Sequence, residues 1–194
     1  MTSQSHTVWL SYRAKALDEA AVNQITITYG ERLGYMLAGL CGESEEFWRA
    51  HDEWLVGVPG DAPVYPRLAE ELGDAAWYFA HVETLAETNH GLRARWPDDA
   101  LVVETRPPDE AMMRLRPIPL MAAACRVAEA LKRPLRLREL PRDRAQKALD
   151  DYAGHLARCA RHLGGLAAIL DGNVTKWRAR HGRTEPYPLR GVGP

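Results

Sequence analysis

The sequence predicts an all-α fold, and three observations support this prediction. Apolar residues recur every three or four positions along most of the 194-residue chain, as they do on one face of a helix. Strand-like alternation of apolar and polar residues is nearly confined to the short run Ile25–Thr28. Stretches rich in Pro and Gly separate the helical segments. With 46% hydrophobic residues in 21.7 kDa, the chain is expected to form one domain, residues 1–194, around one core.

The first three helices are predicted from apolar spacing. The first ends before the Ile25–Thr28 run and the Tyr-Gly turn signal that follows it. In the second, one stripe is formed by Leu33, Met36, Leu37, Leu40 and Phe47. In the third, the stripe is formed by Leu68, Leu72, Ala75, Phe79 and Val82. The predicted ranges are Tyr12–Val22, Glu31–Leu55 and Tyr65–Asn89.

Three further helices are predicted in the second half of the chain, after the break RPPDE that precedes Ala111. Two of them echo the earlier pair, because MAAACRVAEALKR (121–133) is similar to LAGLCGESEEFWR (37–49), and LDDYAGHLARCARH (149–162) to LAEELGDAAWYFAH (68–81). A true internal repeat would give two helical hairpins, of which the second lacks the acids of the first, while chance similarity between Ala- and Leu-rich helices explains the echo equally well. The predicted ranges are Pro117–Arg133, Asp143–Leu163 and Leu166–Arg180.

Acidic side chains border both apolar stripes of the first hairpin. Glu43 lies at the edge of the first stripe and Glu46 follows one turn later, whereas Glu45 points to the opposite side. Glu71 and Asp74 border the second stripe. Since the Cβ atoms of residues three apart on a helix lie about 5 to 6 Å from each other, each pair can direct two carboxylates to one point.

Four carboxylates that converge near a core repel one another and lose hydration, so the arrangement requires a multivalent cation or protonation. Oxygen ligands on an open helical face suit Mg²⁺, or Mn²⁺, better than Zn²⁺. The sequence therefore predicts a Mg²⁺ site at Glu43, Glu46, Glu71 and Asp74.

The same residues resemble the MazG-like all-α nucleoside triphosphate pyrophosphohydrolase family, whose pattern is Glu-x-x-Glu, a spacer, then Glu-x-x-Asp. GLCGESEE (39–46) supplies the first pair and EELGDAAWYFA (70–80) the second, with a spacer of twenty-four residues. GNVTKWRARHG (172–182) is similar to the family's closing Asn-x-x-Lys-x-x-x-Arg helix. Residues 87–162, with the second hairpin, are an insertion relative to compact members of the family.

The resemblance implies metal-dependent hydrolysis of (deoxy)nucleoside triphosphates to the monophosphate and pyrophosphate, for control of the nucleotide pool or housecleaning. The four acids would be catalytic and hold the metal. It also implies a homodimer, whose neighbouring subunit the inserted hairpin could replace. Five further residues would bind the substrate, the first three at the triphosphate and the two aromatics at the base or sugar: Asn173, Lys176, Arg180, Tyr78 and Trp54.

Other functions stay open on the sequence alone. A helical nucleotide sensor or scaffold without catalysis would keep the bundle, and a phosphohydrolase acting on diphosphates or an alarmone would use the same frame. His51-Asp52 is similar to the motif of HD-type phosphohydrolases, and Glu87-x-x-His90 occurs once where a di-iron bundle needs two copies.

Composition argues against several partners and compartments. A net charge of -1 gives no global attraction to nucleic acid or to an anionic membrane. The longest apolar stretch, Leu33–Gly42, is half the roughly 20 residues that cross a bilayer. The N-terminus has no secretory pattern, and three widely spaced cysteines in apolar helical patterns suit buried thiols. We therefore expect a cytoplasmic protein.

Overall fold

The computed structural model describes residues 4–20, 28–57, 64–105, 108–132 and 140–181. These ranges contain seven helices and no strand, which confirms the all-α prediction. The helices are α1 Gln4–Ala20, α2 Tyr29–Leu55, α3 Val64–His90, α4 Pro108–Arg114, α5 Pro117–Lys132, α6 Arg142–His162 and α7 Leu166–His181.

The predicted boundaries agree with α2, α3 and α5 to α7 within two residues, but two predictions at other helices were wrong. Helix α1 begins at Gln4, eight residues before the predicted Tyr12. Helix α4 lies where the sequence predicts a break, and Pro108 occupies its first position, where the missing N–H removes no helical hydrogen bond. Val22 and residues 25–27 of the alternating run lie outside the described ranges.

The start of α2 is fixed by a capping box that was not predicted from the sequence. The Thr28 side chain accepts a hydrogen bond from the backbone N–H of Glu31, and the Glu31 carboxylate accepts one from the backbone N–H of Thr28 at 2.8 Å. Two backbone donors that the helix itself leaves without partners are thereby satisfied. Because the register of α2 starts here, the cap also fixes which residues face the core.

Helices α2, α3, α5 and α6 form a four-helix bundle within one chain. The two 27-residue helices α2 and α3 pack along each other, and the short link between them makes them antiparallel. Helix α5 packs on α2 and on α6, and α6 packs on α3. At the centre, the Tyr152 ring lies 4.6 Å from that of Phe79, and its hydroxyl is 3.0 Å from Ser44 Oγ. The ten predicted stripe residues of α2 and α3 are all buried.

Helices α1 and α7 cover the outer side of α3. Trp9 Nε1 of α1 donates to the buried Glu83 carboxylate at 2.6 Å, and the backbone N–H of Ala94 donates to the other oxygen at 2.9 Å. From α7, the ring of Trp177 stacks on Trp77 with centroids 4.9 Å apart. These contacts hold α7 against the half of α3 that carries the acids.

The three cysteines are free thiols. Cys159 is buried and Cys41 half-buried, but Cys125 is exposed on α5, so the prediction of three buried thiols was wrong for Cys125. The apolar pattern around Cys125 was real, but its thiol lies at the solvent-facing edge of the contact between α5 and α2, beside Cys41. Among the described helices, none is long and apolar enough to cross a membrane.

A glycine allows α2 and α3 to approach closely beside the acids. A Cβ atom at Gly39 would overlap the Tyr78 ring, which lies across the seam between the helices. Gly34, on the same helix, has no atom within 4 Å of the position where a Cβ would stand. The two glycines therefore differ in their surroundings while sharing a helical backbone.

We expect Gly39→Ala to destabilise the protein by about 1–3 kcal/mol, because the Tyr78 ring must move or the helices must separate. Gly34→Ala should instead stabilise it by roughly 0.5–1 kcal/mol, since alanine has the higher helix propensity. Urea unfolding followed by circular dichroism measures both. Equal stability of the two variants would contradict the close packing at Gly39.

Candidate functional site

Three glutamates converge where α2 faces α3. One carboxylate oxygen each of Glu43, Glu46 and Glu71 lies within 4.8 Å of the other two. Glu43 and Glu46 are one turn apart on α2, and Glu71 lies opposite them on α3. Glu46 is exposed, whereas Glu43 and Glu71 are half-buried. The cluster is thus open to solvent on one side and bounded by the core on the other.

The electrostatics of this cluster favour a cation. Burial, followed by the charges of Asp74, Glu46 and Glu71, raises the pKa of Glu43 to about 7. Burial and the neighbouring acids also raise the pKa of Glu71. Burial first, and then repulsion by the neighbouring carboxylates, therefore disfavours the charged forms of Glu43 and Glu71 in the folded protein. A divalent cation between them would reverse this penalty.

The fourth predicted acid, Asp74, lies beside the cluster and contacts α7. One carboxylate oxygen accepts a hydrogen bond from Asn173 Nδ2 at 2.7 Å, and the other contacts the Lys176 ammonium group. Asp74 is nevertheless close enough to raise the pKa values of Glu43 and Glu71. The structure therefore brings three of the four acids to one point and orients the fourth from outside.

Asn173 is built into this arrangement from both sides. Its side chain is 4% exposed, and its Oδ1 accepts a hydrogen bond from the Tyr12 hydroxyl at 2.9 Å. A Cβ at Gly73 would stand 3.0 Å from the Asn173 Cβ, so glycine at this position lets α7 approach α3. The predicted contact of Asn173 with substrate stays a prediction, while its contact with Asp74 is part of the fold.

Lys176 and Arg180 share the face of α7 that was expected from their spacing. Lys176 Nζ lies 3.1 Å from Glu70 Oε1, and Arg180 Nη2 lies 3.2 Å from the same oxygen. Glu70 was not predicted from the sequence, because a third acid next to Glu71 carries no motif of its own. Lys176 is largely buried and also contacts Asp74, whereas Arg180 and Glu70 are exposed. Exposed ion pairs contribute little stability, so another anion can replace Glu70 at Arg180 at modest cost.

The two predicted aromatic residues lie in different places. Tyr78 lies at the seam, with its ring 6.3 Å from that of Tyr35. Burial first, then the hydrogen bond with Tyr35, and last the charges of Glu43 and Asp74 raise the pKa of Tyr78. Trp54 lies near the end of α2, where its ring is 5.9 Å from that of His51. Of the two, Tyr78 is the one beside the acids.

A groove lies next to the ion pairs, between α3 and α7. Its volume is about 430 Å³, and both Glu70 and Lys176 line it. The remaining lining is largely apolar, with Pro66 and Ala69 on one side and Ile169 on the other. The groove therefore offers an apolar surface that ends at charged groups beside the carboxylates.

The competing motifs have structural roles. His51 is buried and donates from Nε2 to the carbonyl oxygen of Met112 at 2.9 Å. Glu87 pairs with Arg13 at 2.6 Å and also contacts Arg93, while His90 Nε2 lies 3.1 Å from the Tyr29 hydroxyl. Within the ranges that the structure describes, neither motif joins a cluster of metal ligands.

Comparisons of the chain with protein-family models, with curated protein sequences and with solved structures found no match. A functional assignment for this chain therefore rests on its own residues and their geometry.

Replacing Glu43 with glutamine should stabilise the metal-free protein at neutral pH. Below the ordinary pKa of 4.5 the Glu43 carboxyl is neutral in both the folded and the unfolded protein, so it costs no stability. As the pH rises from there through about 7, the carboxyl ionises more readily in the unfolded protein, and the folded protein loses stability. After allowance for solvent screening of this half-buried group, we expect Glu43→Gln to gain roughly 1 kcal/mol near pH 8 and almost nothing near pH 4. Thermal unfolding in EDTA measures the difference, and equal stability of the two proteins near pH 8 would contradict the repulsion.

Proposed function

We propose that this protein is a Mg²⁺-dependent nucleoside triphosphate pyrophosphohydrolase of the MazG-like type. The observation that carries the proposal is the convergence of Glu43, Glu46 and Glu71 within 4.8 Å. The spacing of these residues agrees with the family pattern of Glu-x-x-Glu followed by Glu-x-x-Asp, and Asp74 completes the set. The reaction would release the monophosphate and pyrophosphate from a (deoxy)nucleoside triphosphate.

The donor set fits Mg²⁺, with Mn²⁺ as a substitute. The cluster offers carboxylate oxygens alone, with no histidine or cysteine ligand among the described residues, and one side is open for water and phosphate. When bound there, a divalent cation supplies charge neutralisation of phosphate oxygens and a lower pKa for a bound water. The repulsion between the glutamates supports the same assignment.

The chain's own residues then have distinct tasks. Glu43, Glu46 and Glu71 would hold the cation. Asn173 and Lys176 orient Asp74 beside these three glutamates. A carboxylate of the first pair, Glu43 or Glu46, accepts the proton of the attacking water.

Lys176 and Arg180 are the groups that bind the triphosphate. Both pair with Glu70 at the edge of the groove, and phosphate oxygens replace Glu70 as their partner when substrate binds. Asn173 acts through Asp74, whose position it fixes. Tyr78 is the aromatic residue assigned to the nucleoside, because it lies beside the acids, whereas Trp54 contacts His51 at the end of α2.

Replacing Glu46 with glutamine should reduce Mg²⁺-dependent pyrophosphate release at least about a hundredfold, because one cation ligand and its charge are lost. Asp74→Asn should have a similar effect. The assay measures pyrophosphate and orthophosphate separately for a panel of canonical and modified nucleoside triphosphates. Circular dichroism confirms that both variants keep their helices.

Glu45→Gln is the matched control, because Glu45 neighbours Glu46 but pairs with Arg49 at 2.5 Å on the surface. Its activity should stay within about twofold of the wild type. Full activity of Glu46→Gln would contradict the site. Orthophosphate in place of pyrophosphate would contradict the reaction and favour a different phosphohydrolase, and nucleotide binding without turnover would favour a sensor.

A homodimer is part of the same proposal. In this chain the α5–α6 hairpin already packs on α2 and α3, so dimerisation would use another surface. Light scattering during gel filtration should give twice 21.7 kDa. A mass of one chain at micromolar concentration would show that the second hairpin makes a neighbouring subunit unnecessary.

A further inference from the structure

A second concave site lies on the other hairpin and shares no lining residue with the groove beside the carboxylates. Its volume is about 270 Å³, and it is formed by the end of α4, the start of α5, the last two turns of α6 and the segment that carries Glu104. Most of its lining is basic: Arg114, Arg116, His155, Arg158, Arg161 and His162.

The acids near this pocket compensate only part of its charge. Arg161 pairs with Asp99 at 2.5 Å and Arg114 with Glu110 at 3.5 Å, but neither acid lines the pocket. Glu104 is the one acidic residue of the lining, and its carboxylate lies 3.5 Å from His162 Nδ1. Four arginines thus face one glutamate around a single cavity.

Two of the arginines keep donors available. Arg116 donates from Nη1 to the carbonyl oxygens of Met113 and Leu115, at 3.2 and 3.3 Å. Arg158 donates from Nη2 to His155 Nδ1 at 2.8 Å. Among the described residues, neither guanidinium has a carboxylate within ion-pair distance, and both side chains are exposed. Each can turn further N–H groups toward a ligand without breaking an ion pair.

His155, in the lining of the pocket, lies close to this positive charge. Burial, followed by the charges of Arg158 and Arg126, lowers the pKa of His155, against the opposite influence of Asp151. Basic residues near a helix end also complement the helix dipole, which accounts for Arg161 in the last turn of α6 and for Arg116, whose guanidinium contacts carbonyl oxygens at the end of α4. It does not account for Arg158, which lies before the last turn of α6 yet lines the same cavity.

We propose that this pocket binds a small phosphate-bearing anion. Planar guanidinium groups present paired N–H donors that match phosphate oxygens, and several arginines around one point suit an anion with more than one charge. The volume is below the roughly 300–1,000 Å³ of pockets for drug-sized ligands, which favours an inorganic or compact phosphate over a whole nucleotide. A concave pocket in a chain of net charge -1 is unlike the extended basic surface that nucleic acid requires.

Calorimetric titration of the full chain with inorganic pyrophosphate in EDTA tests this proposal. EDTA removes the divalent cation from the carboxylate site, and the Arg158 variants separate binding in this pocket from binding of the anion by Lys176 and Arg180. Arg158→Ala should weaken binding roughly tenfold or more, since a charge-assisted hydrogen bond is lost. Arg158→Lys should lose less affinity for pyrophosphate, because lysine keeps the positive charge but not the paired N–H donors of the guanidinium group.

Arg144→Ala is the matched control, because Arg144 is exposed on the same helix but does not line the pocket. It should bind pyrophosphate like the wild type, and so should Glu46→Gln, whose failure to hydrolyse nucleotides concerns the other site. Absence of binding to the wild type, equal losses in Arg144→Ala and Arg158→Ala, or tighter binding of a single-stranded RNA oligonucleotide through Arg158 would each overturn the proposal.

Discussion

The close approach of α2 and α3 is the constraint on which the rest of the site depends. Gly39 lets the Tyr78 ring lie across the seam, and the same approach brings Glu43 and Glu46 opposite Glu71. Apolar burial along both helices favours this packing, while the repulsion between carboxylates opposes it. The fold therefore stabilises an arrangement that the acids alone would avoid, which is the situation expected of a site that gains its stability when a cation binds.

Helix α7 distinguishes Asp74 from the other three acids. Asn173 and Lys176 both contact Asp74, so this acid has a hydrogen-bond donor and a cation from α7. Gly73 is the reason that α7 can come so near, because a side chain there would meet Asn173. Asp74 is thus compensated from α7 and Glu71 in part by Arg67 at 3.9 Å, while the cluster of three glutamates would still gain stability from an outside cation.

The four-helix bundle forms within one chain because the apolar faces of α5 and α6 pack on α2 and α3. Tyr152 of α6 contacts both Phe79 of α3 and Ser44 of α2, so one hydrophobic core is shared by the two hairpins. The first hairpin carries the carboxylates, and the second hairpin together with the end of α4 carries the arginines, so the two halves of the bundle bear clusters of opposite charge.

The sequence predicted what depends on local periodicity. The stripes of α2 and α3 and the facing of Glu43, Glu46 and Glu71 follow from 3.6 residues per turn. It did not predict α4, where proline at a first helical position looks like a break. Nor did it predict the partners that come from distant segments, such as the contact of Asp74 with α7 and the role of Glu70, because both depend on packing between residues about a hundred positions apart. The basic pocket combines segments around residues 104, 116 and 158, none of which forms a pattern alone.

Diffraction from crystals soaked in Mn²⁺, recorded at the manganese absorption edge, tests the central claim most directly. We predict an anomalous peak between the carboxylates of Glu43, Glu46 and Glu71, and its loss in crystals of Glu46→Gln. A map without a peak at this position, or with manganese bound elsewhere on the chain, would contradict the assignment of these glutamates as a metal site.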